Sequence, residues 1–208
     1  MNIPIVFVDD WLLVVNKPAG ILTVPTPKNQ ARTLTSVLNQ DAKEKNLNYQ
    51  FYPCHRLDRQ TSGLLIYAKS KAVEAKMVDA FRNREIGKKY IAFVHGKLSK
   101  SSGQISSSIE GKSALTKYRV LEEKSNYSVV EVFPVTGRTN QVRIHFKSIQ
   151  HPLVGEDKFA FRKDFSLRFK RVCLEAQELK FKHPVTGKDL IIRINLSDDL
   201  KNFLANHD

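Results

Sequence analysis

His55-Arg56-Leu57-Asp58-Arg59-Gln60-Thr61-Ser62-Gly63, running directly into Leu64-Leu65-Ile66-Tyr67-Ala68, is the stretch on which the reading of this chain turns. One carboxylate, Asp58, stands between two arginines. The segment closes on a Thr-Ser-Gly turn signal and feeds an apolar run with strand character. A carboxylate in a loop before a buried strand is held by rigid scaffold yet stays reachable, the usual placement of a working residue. Taken alone, the stretch favours a plainer reading, a surface ion pair of Asp58 with Arg56 or Arg59, because such pairs are common and contribute little. The surrounding chain has to decide.

Upstream, Ile5-Val6-Phe7-Val8 and Trp11-Leu12-Leu13-Val14-Val15 predict a hairpin turning at Asp9-Asp10. Asn16-Lys17-Pro18-Ala19-Gly20 then breaks the sheet. Lys17 is biased to extended backbone by the following proline, and Gly20 permits a left-handed turn, so the segment is either a rigid loop lining a cleft or an ordinary strand exit. From Thr33 to about Lys45, Leu34, Val37, Leu38 and Ala42 keep helical spacing, with Thr33 as N-cap.

Downstream, Ser70 caps a second amphipathic helix with Val73, Met77, Ala80 and Phe81 on one face and Lys71, Lys76, Arg82 and Arg84 on a solvated other face. Gly87 to Gly96 is a strand opened by Lys88, Lys89 and Tyr90; periodicity makes Tyr90 a core aromatic, and a ring offered to a ligand is the alternative. The serine-rich Ser99–Ser108 reads as a polar connection or surface insertion. Leu115–Leu121 and Tyr127–Phe133 read as half-buried antiparallel partners.

In Pro134-Val135-Thr136-Gly137-Arg138-Thr139-Asn140-Gln141-Val142-Arg143-Ile144-His145-Phe146 a strand ends, Gly137 turns the chain and a helix begins. Arg138, Thr139, Asn140 and Gln141 crowd that helix start, where free N–H groups favour an anion; a capped surface turn is the alternative. His151 to Glu156 is a loop, Arg162 to Arg171 a basic segment, and the chain closes with a hairpin about His183–Gly187 and a short helix starting at Ser197.

Composition narrows the partner. The 208 residues suffice for a full core and predict one domain, with room for two lobes on a shared sheet. Thirty-four Lys+Arg against 21 Asp+Glu leave a net charge of +13, spread along the chain and not confined to a tail. A folded surface so positive points to nucleic acid, whose phosphates are the densest anion available to it. Membrane is disfavoured, because no basic amphipathic helix and no apolar run near the roughly 20 residues needed for a span stand out. No signal peptide is evident, and two cysteines, Cys54 and Cys173, read as reduced packing residues; a cytoplasmic protein is expected. Six histidines lack metal-ligand spacing, and neither a phosphate-loop nor a dinucleotide-binding glycine motif is present, so no metal or cofactor is expected.

In order and spacing, these segments make the chain resemble the RluA family of RNA pseudouridine synthases. The resemblance rests on Asn-Lys-Pro-Ala-Gly at 16 to 20, His-Arg-Leu-Asp-x-x-Thr-Ser-Gly at 55 to 63, Lys-Lys-Tyr-Ile-Ala at 88 to 92 and Gly-Arg-Thr-x-Gln-Val-Arg-Ile-His at 137 to 145. His-Pro-Leu-Val-Gly at 151 to 155 and Phe-x-His-Pro-x-Thr-Gly at 181 to 187 extend it. Two positions depart: Asn140 stands where the family usually has His, and Glu175 where a Leu-His-Ala segment would place His. The first shared motif begins near residue 12, which implies the short branch lacking an S4 module, whose members modify tRNA or a ribosomal RNA stem-loop.

The resemblance implies an α+β fold over residues 1–208, a mixed, mostly antiparallel central sheet flanked by helices with a basic cleft across its middle. It implies isomerisation of uridine in RNA: the N1–C1′ bond breaks, uracil rotates and C5 bonds to C1′, with no cofactor required. Asp58 would attack sugar or base, or remove a sugar proton, on a nucleotide flipped from its helix. Arg143 would pair with Asp58 as its counter-ion, Tyr90 would stack on the base, and Arg56 would fill the vacated space. Thr61, Arg138, Asn140 and Gln141 would join Arg56 in RNA contact, and the enzyme would act as a monomer. A non-catalytic RNA-binding protein of the same fold has no use for a nucleophile, and a glycosyl hydrolase would need a second positioned carboxylate.

Overall fold

The computed structural model describes residues 3–26, 32–160 and 167–207. The predicted hairpin forms from β1 (Ile5–Val8) and β2 (Leu12–Lys17), antiparallel, with Asp9 Oδ1 accepting from the backbone N–H groups of Trp11 and Leu12 at 2.8 and 2.7 Å. Helix α1 (Leu34–Glu44) starts at Thr33, whose hydroxyl and that of Ser36 each accept from the other's backbone N–H. After β3 (Tyr52–Pro53) and β4 (Ser62–Ala68), helix α2 (Lys71–Arg82) is capped by Ser70, which accepts from Val73 N at 3.3 Å. There follow β5 (Gly87–His95), β6 (Ser102–Ser106), β7 (Leu115–Glu123), β8 (Tyr127–Pro134) and α3 (Gln141–Ser148). The chain closes with β9 (Leu174–Lys182), β10 (Asp189–Arg193) and α4 (Asp198–Asn206).

Hydrogen-bonded strand neighbours follow the order β1-β2-β4-β9-β5-β8-β7-β6, with β10 on β9 and β3 on β4. The fold is the expected α+β type, a mixed, mostly antiparallel sheet with four helices among the described residues. Two compact units divide the chain, one of residues 1–87 and 178–194, the other of 88–177 and 195–208.

In the first unit, β4 is buried at every position, and its Leu64, Ile66 and Ala68 pack with Leu12, Val14, Val73 and Met77. That is why α2 turns its Val73 and Met77 inward while Lys71 and Arg82 stay in water. In the second unit, β5 is apolar on both faces. Ala92 and Val94 meet Val142 and Phe146 of α3 on one side; Ile91 and Phe93 meet Leu200 and Phe203 of α4 on the other. A strand covered on both faces reads as a continuous apolar run, as Ile91 to Val94 does.

Three expectations need correction. Ser62 and Gly63 lie inside β4; the turn falls on Arg59–Gln60, and Gly63 enters the strand at φ 116 opposite Lys17. Only glycine takes that backbone readily, so a turn signal in composition became a strand start. The serine-rich stretch is no mere connection: Ser102–Ser106 forms β6, antiparallel to β7, with Ile105 as its buried side chain. An edge strand needs few apolar residues, which is why its sequence hides it. Finally, β8 is buried at all but one position, not half-buried. The basic segment expected over 162–171 lies partly outside the described residues.

Candidate active site

The Asp58 loop is fastened through its backbone. Gly20 N donates to Arg59 O at 2.7 Å and Arg59 Nε returns a bond to Gly20 O at 3.0 Å. Thr23, buried, accepts from Leu57 N at 3.2 Å and donates to Leu57 O at 3.1 Å. Thr61 N closes the turn onto Asp58 O at 3.1 Å, and His55 Nε2 accepts from Ile66 N at 3.1 Å. Beneath them lies Lys17, with 0% of its surface exposed, whose ammonium donates to the carbonyls of Pro18 and Ile21 at 2.9 Å each and of Arg59 at 3.4 Å. The segment 17–23 thus frames residues 57–61 on one side, and Asp58 is half-buried at the centre.

Neither flanking arginine takes the local ion pair. Arg59 turns to Gly20, and Arg56 is exposed with no hydrogen bond or ion pair among the described residues. Thr61, expected to touch RNA, is buried, and its hydroxyl has no hydrogen-bond partner among the described residues. What it visibly supplies is the backbone bond that closes the Asp58 turn.

In the second unit Arg138, Asn140, Gln141 and Arg143 gather at the start of α3, while Tyr90 lies on β5. Arg143 is buried and gripped by Glu156: Nε to Oε2 and Nη2 to Oε1, both 2.7 Å, a bidentate pair. Its Nη1 donates to Asn140 Oδ1 at 2.9 Å, and Phe159 presents its ring 5.1 Å from the guanidinium carbon. Burial alone would push the Glu156 carboxyl up. The Arg143 hydrogen bonds and charge, with the N–H groups of Lys158 and Phe159, hold it below the usual carboxylate range. Tyr90, partly buried, packs against the cluster that contains Val142 and Phe146 of α3.

Gln141 is also buried, and its amide is fully engaged. The oxygen accepts from Thr136 Oγ1 at 2.6 Å and Arg138 N at 3.0 Å; the nitrogen donates to Leu115 O and Thr116 Oγ1, each at 3.0 Å. Thr116 passes the chain on to His145 Nδ1 at 2.9 Å, and His145 Nε2 lies 3.2 Å from Ser107 O. A carbonyl can only accept, so the proton sits on Nε2. Burial keeps this imidazole neutral, lowering its pKa against the opposing pull of Ser107. Gln141 therefore shapes the turn, while Arg138, half-buried, donates Nε to Ser113 O at 3.1 Å and has no bond at its terminal nitrogens among the described residues.

Two residues here escaped sequence reasoning. Glu156 follows the His-Pro-Leu-Val-Gly segment, and its acidic character in a basic chain was the one available signal. Lys17 was visible in its motif, but nothing local announces a fully buried lysine. Beside Glu156, Gly155 is required for another reason: at φ +79, with Arg171 O 1.8 Å from where a Cβ would stand, the backbone comes closer than any side chain would allow. The cysteines are free and buried. Glu175, where the family would place His, is wholly buried, accepts from Ser197 N at 2.9 Å and lies beside Arg171, which pairs with Asp199.

Comparison with known proteins joins these local findings to one activity. Residues 11–148 match the family model described as RNA pseudouridylate synthase. The dual-specificity RNA pseudouridine synthase RluA of Haemophilus influenzae is 37% identical over 89% of this chain and 90% of its own. The ribosomal large subunit pseudouridine synthase D of Zymomonas mobilis is 35% identical over 95% of this chain and 70% of its own. Among solved structures, human RNA pseudouridylate synthase domain containing 4 shares the fold with a TM-score of 0.82 at 23% identity, covering 97% of this chain and 92% of that one. With its motifs, fold and relatives in agreement, the chain belongs to the RluA family of RNA pseudouridine synthases, isomerases that act on uridine in RNA.

Proposed function

We propose that Asp58 is the nucleophile of this synthase, acting on a uridine flipped out of a tRNA or ribosomal RNA stem-loop. The observation that carries the reading is the framing of Asp58: its backbone is pinned at Leu57, Arg59 and Thr61, and Arg59 turns its Nε to Gly20 O. A group that must approach one atom of a substrate gains most from such fixed placement. Arg143 is the cationic member of the catalytic set, and Glu156 with Asn140 fixes the direction of its guanidinium. Tyr90 stacks on the flipped base. Its phenol, with a reference pKa near 10, serves as a proton carrier only through water or a strongly altered setting.

Arg56 and Arg138 meet RNA directly, the first by filling the vacated stack with its planar guanidinium. Asn140 also contacts it, and Thr61 and Gln141 contribute by holding the backbone that bears the contacts. Residues 1–208 work as one catalytic domain, monomeric and cytoplasmic, and the +13 charge provides affinity independent of sequence. The relatives named for the large ribosomal subunit favour ribosomal RNA among the substrates. Pseudouridine mapping on RNA from cells carrying wild type, Asp58→Asn or no protein tests the assignment. Asp58→Asn should bind RNA and form no pseudouridine; modification at the wild-type level would remove Asp58 from the chemistry.

A further inference from the structure

Strand β5 opens with two adjacent lysines of different kinds. Lys89 pairs with Glu131, Nζ to Oε1 3.3 Å. Lys88 points to the opposite face, because side chains alternate along a strand, and so shares the face of Tyr90, Ala92 and Val94 that packs toward α3. Tyr90 stands opposite Val132 of β8; two residues further on, Lys88 comes level with Pro134, where the chain leaves the sheet for the Arg138 turn.

Half-buried there, the Lys88 ammonium makes one hydrogen bond among the described residues, to Thr136 O at 3.3 Å, and no ion pair. An ammonium carries three donors, so two remain unused. Lys17, a fully buried lysine also held by carbonyls, reaches three acceptors. Taking a cation from water without an anion or a full set of acceptors is costly, and burial accordingly draws the Lys88 pKa down from the ordinary lysine value. Across the same turn, the terminal nitrogens of Arg138 are equally without partners among the described residues. Two cations with donors to spare among the described residues thus bracket residues 134–138, Lys88 on the strand face it shares with Tyr90.

We propose that Lys88 is a phosphate ligand: with the Thr136 carbonyl holding one of its protons, its ammonium donates the others to a backbone phosphate of bound RNA. This deepens the RNA reading given above and rests on it. A point charge such as lysine suits a phosphate oxygen and carries no base information, so its loss weakens binding to all RNA sequences alike.

The test uses the full chain with Asp58→Asn, so that RNA is bound and not converted. Unmodified transcripts of tRNA and of large-subunit ribosomal RNA serve as probes, at salt from about 50 to about 300 mM. Losing one phosphate contact should make the slope of log K against log salt shallower by about 0.7 to 0.9 in Lys88→Met, whereas Lys88→Arg should keep the slope. A Lys88→Met protein that keeps the slope, with or without a lower melting temperature, would show Lys88 to be a structural tie for the 134–138 turn and overturn the proposal. Should Lys88→Met not fold, Lys88→Gln, which retains a donor for Thr136, gives the same readout. The underlying reading fails separately, by wild-type protein forming no pseudouridine in either transcript.

Discussion

The Asp58 loop and the start of α3 each have to hold one charge still, and they do it with different materials. Around Asp58 most fastenings end on main-chain atoms: Gly20 with Arg59, Thr61 with Asp58, Lys17 on three carbonyls. Around Arg143 they run between side chains, through Glu156, Asn140 and the Gln141–Thr116–His145 series. Main-chain fastening survives most substitutions, because every residue carries the same amide. Side-chain fastening lets the site present a buried cation in a chosen direction but fails when one partner is changed, since an unpaired buried charge remains.

The sharpest break is at Glu156. Glu156→Gln should cost about 3–5 kcal/mol in urea unfolding and take most of the pseudouridine-forming activity with it, because the buried Arg143 loses the charged, bidentate partner that holds it. Gly155→Ala comes next, at about 3 kcal/mol, from a methyl group driven against the Arg171 carbonyl at an unfavourable φ; thermal melting reads it directly. Lys17→Met should cost about 1–3 kcal/mol, the price of carbonyls left without a donor, and lower kcat more than RNA affinity. A cost for Lys17→Met above that of Glu156→Gln would break the contrast between the two regions. Arg59→Ala, which removes one exposed bond to Gly20, should stay within about 0.5 kcal/mol.

A pH series sharpens the same contrast. The folded-state pKa of Glu156 is depressed, so its contribution is present above the unfolded value of about 4.3 and is lost as pH falls through the folded one. The stability gap between wild type and Glu156→Gln should therefore hold from neutral pH down to about 4.3 and narrow below it. A gap that stays constant into stronger acid would show that packing, not charge, is what Glu156 supplies.

Much of this was legible in the sequence where the signal is local. Thr33 and Ser70 announced α1 and α2, two neighbouring strand-like runs announced the β7 and β8 pair, and ordered motifs announced the family. What stayed hidden depends on distant partners. Lys17 is buried because carbonyls from residues 18, 21 and 59 converge on it, and Glu156 matters because it grips Arg143, 13 residues earlier in the chain. Strand β6 was masked by serines that an edge can tolerate, and Gly63 by a backbone conformation that composition reads as a turn.

The backbone of Asn140 carries one more consequence. It sits at φ 53, ψ 23 immediately before α3, a conformation that asparagine, aspartate and histidine adopt far more readily than other residues, glycine apart. Asparagine, and the histidine that the family resemblance places at this position, both belong to the small alphabet that this kink permits. Mutational drift here is filtered first by backbone strain and only afterwards by chemistry. A library randomised at position 140 and selected only for folding should return Gly, Asn, Asp and His. A second round selected for pseudouridine formation would separate those that also orient Arg143.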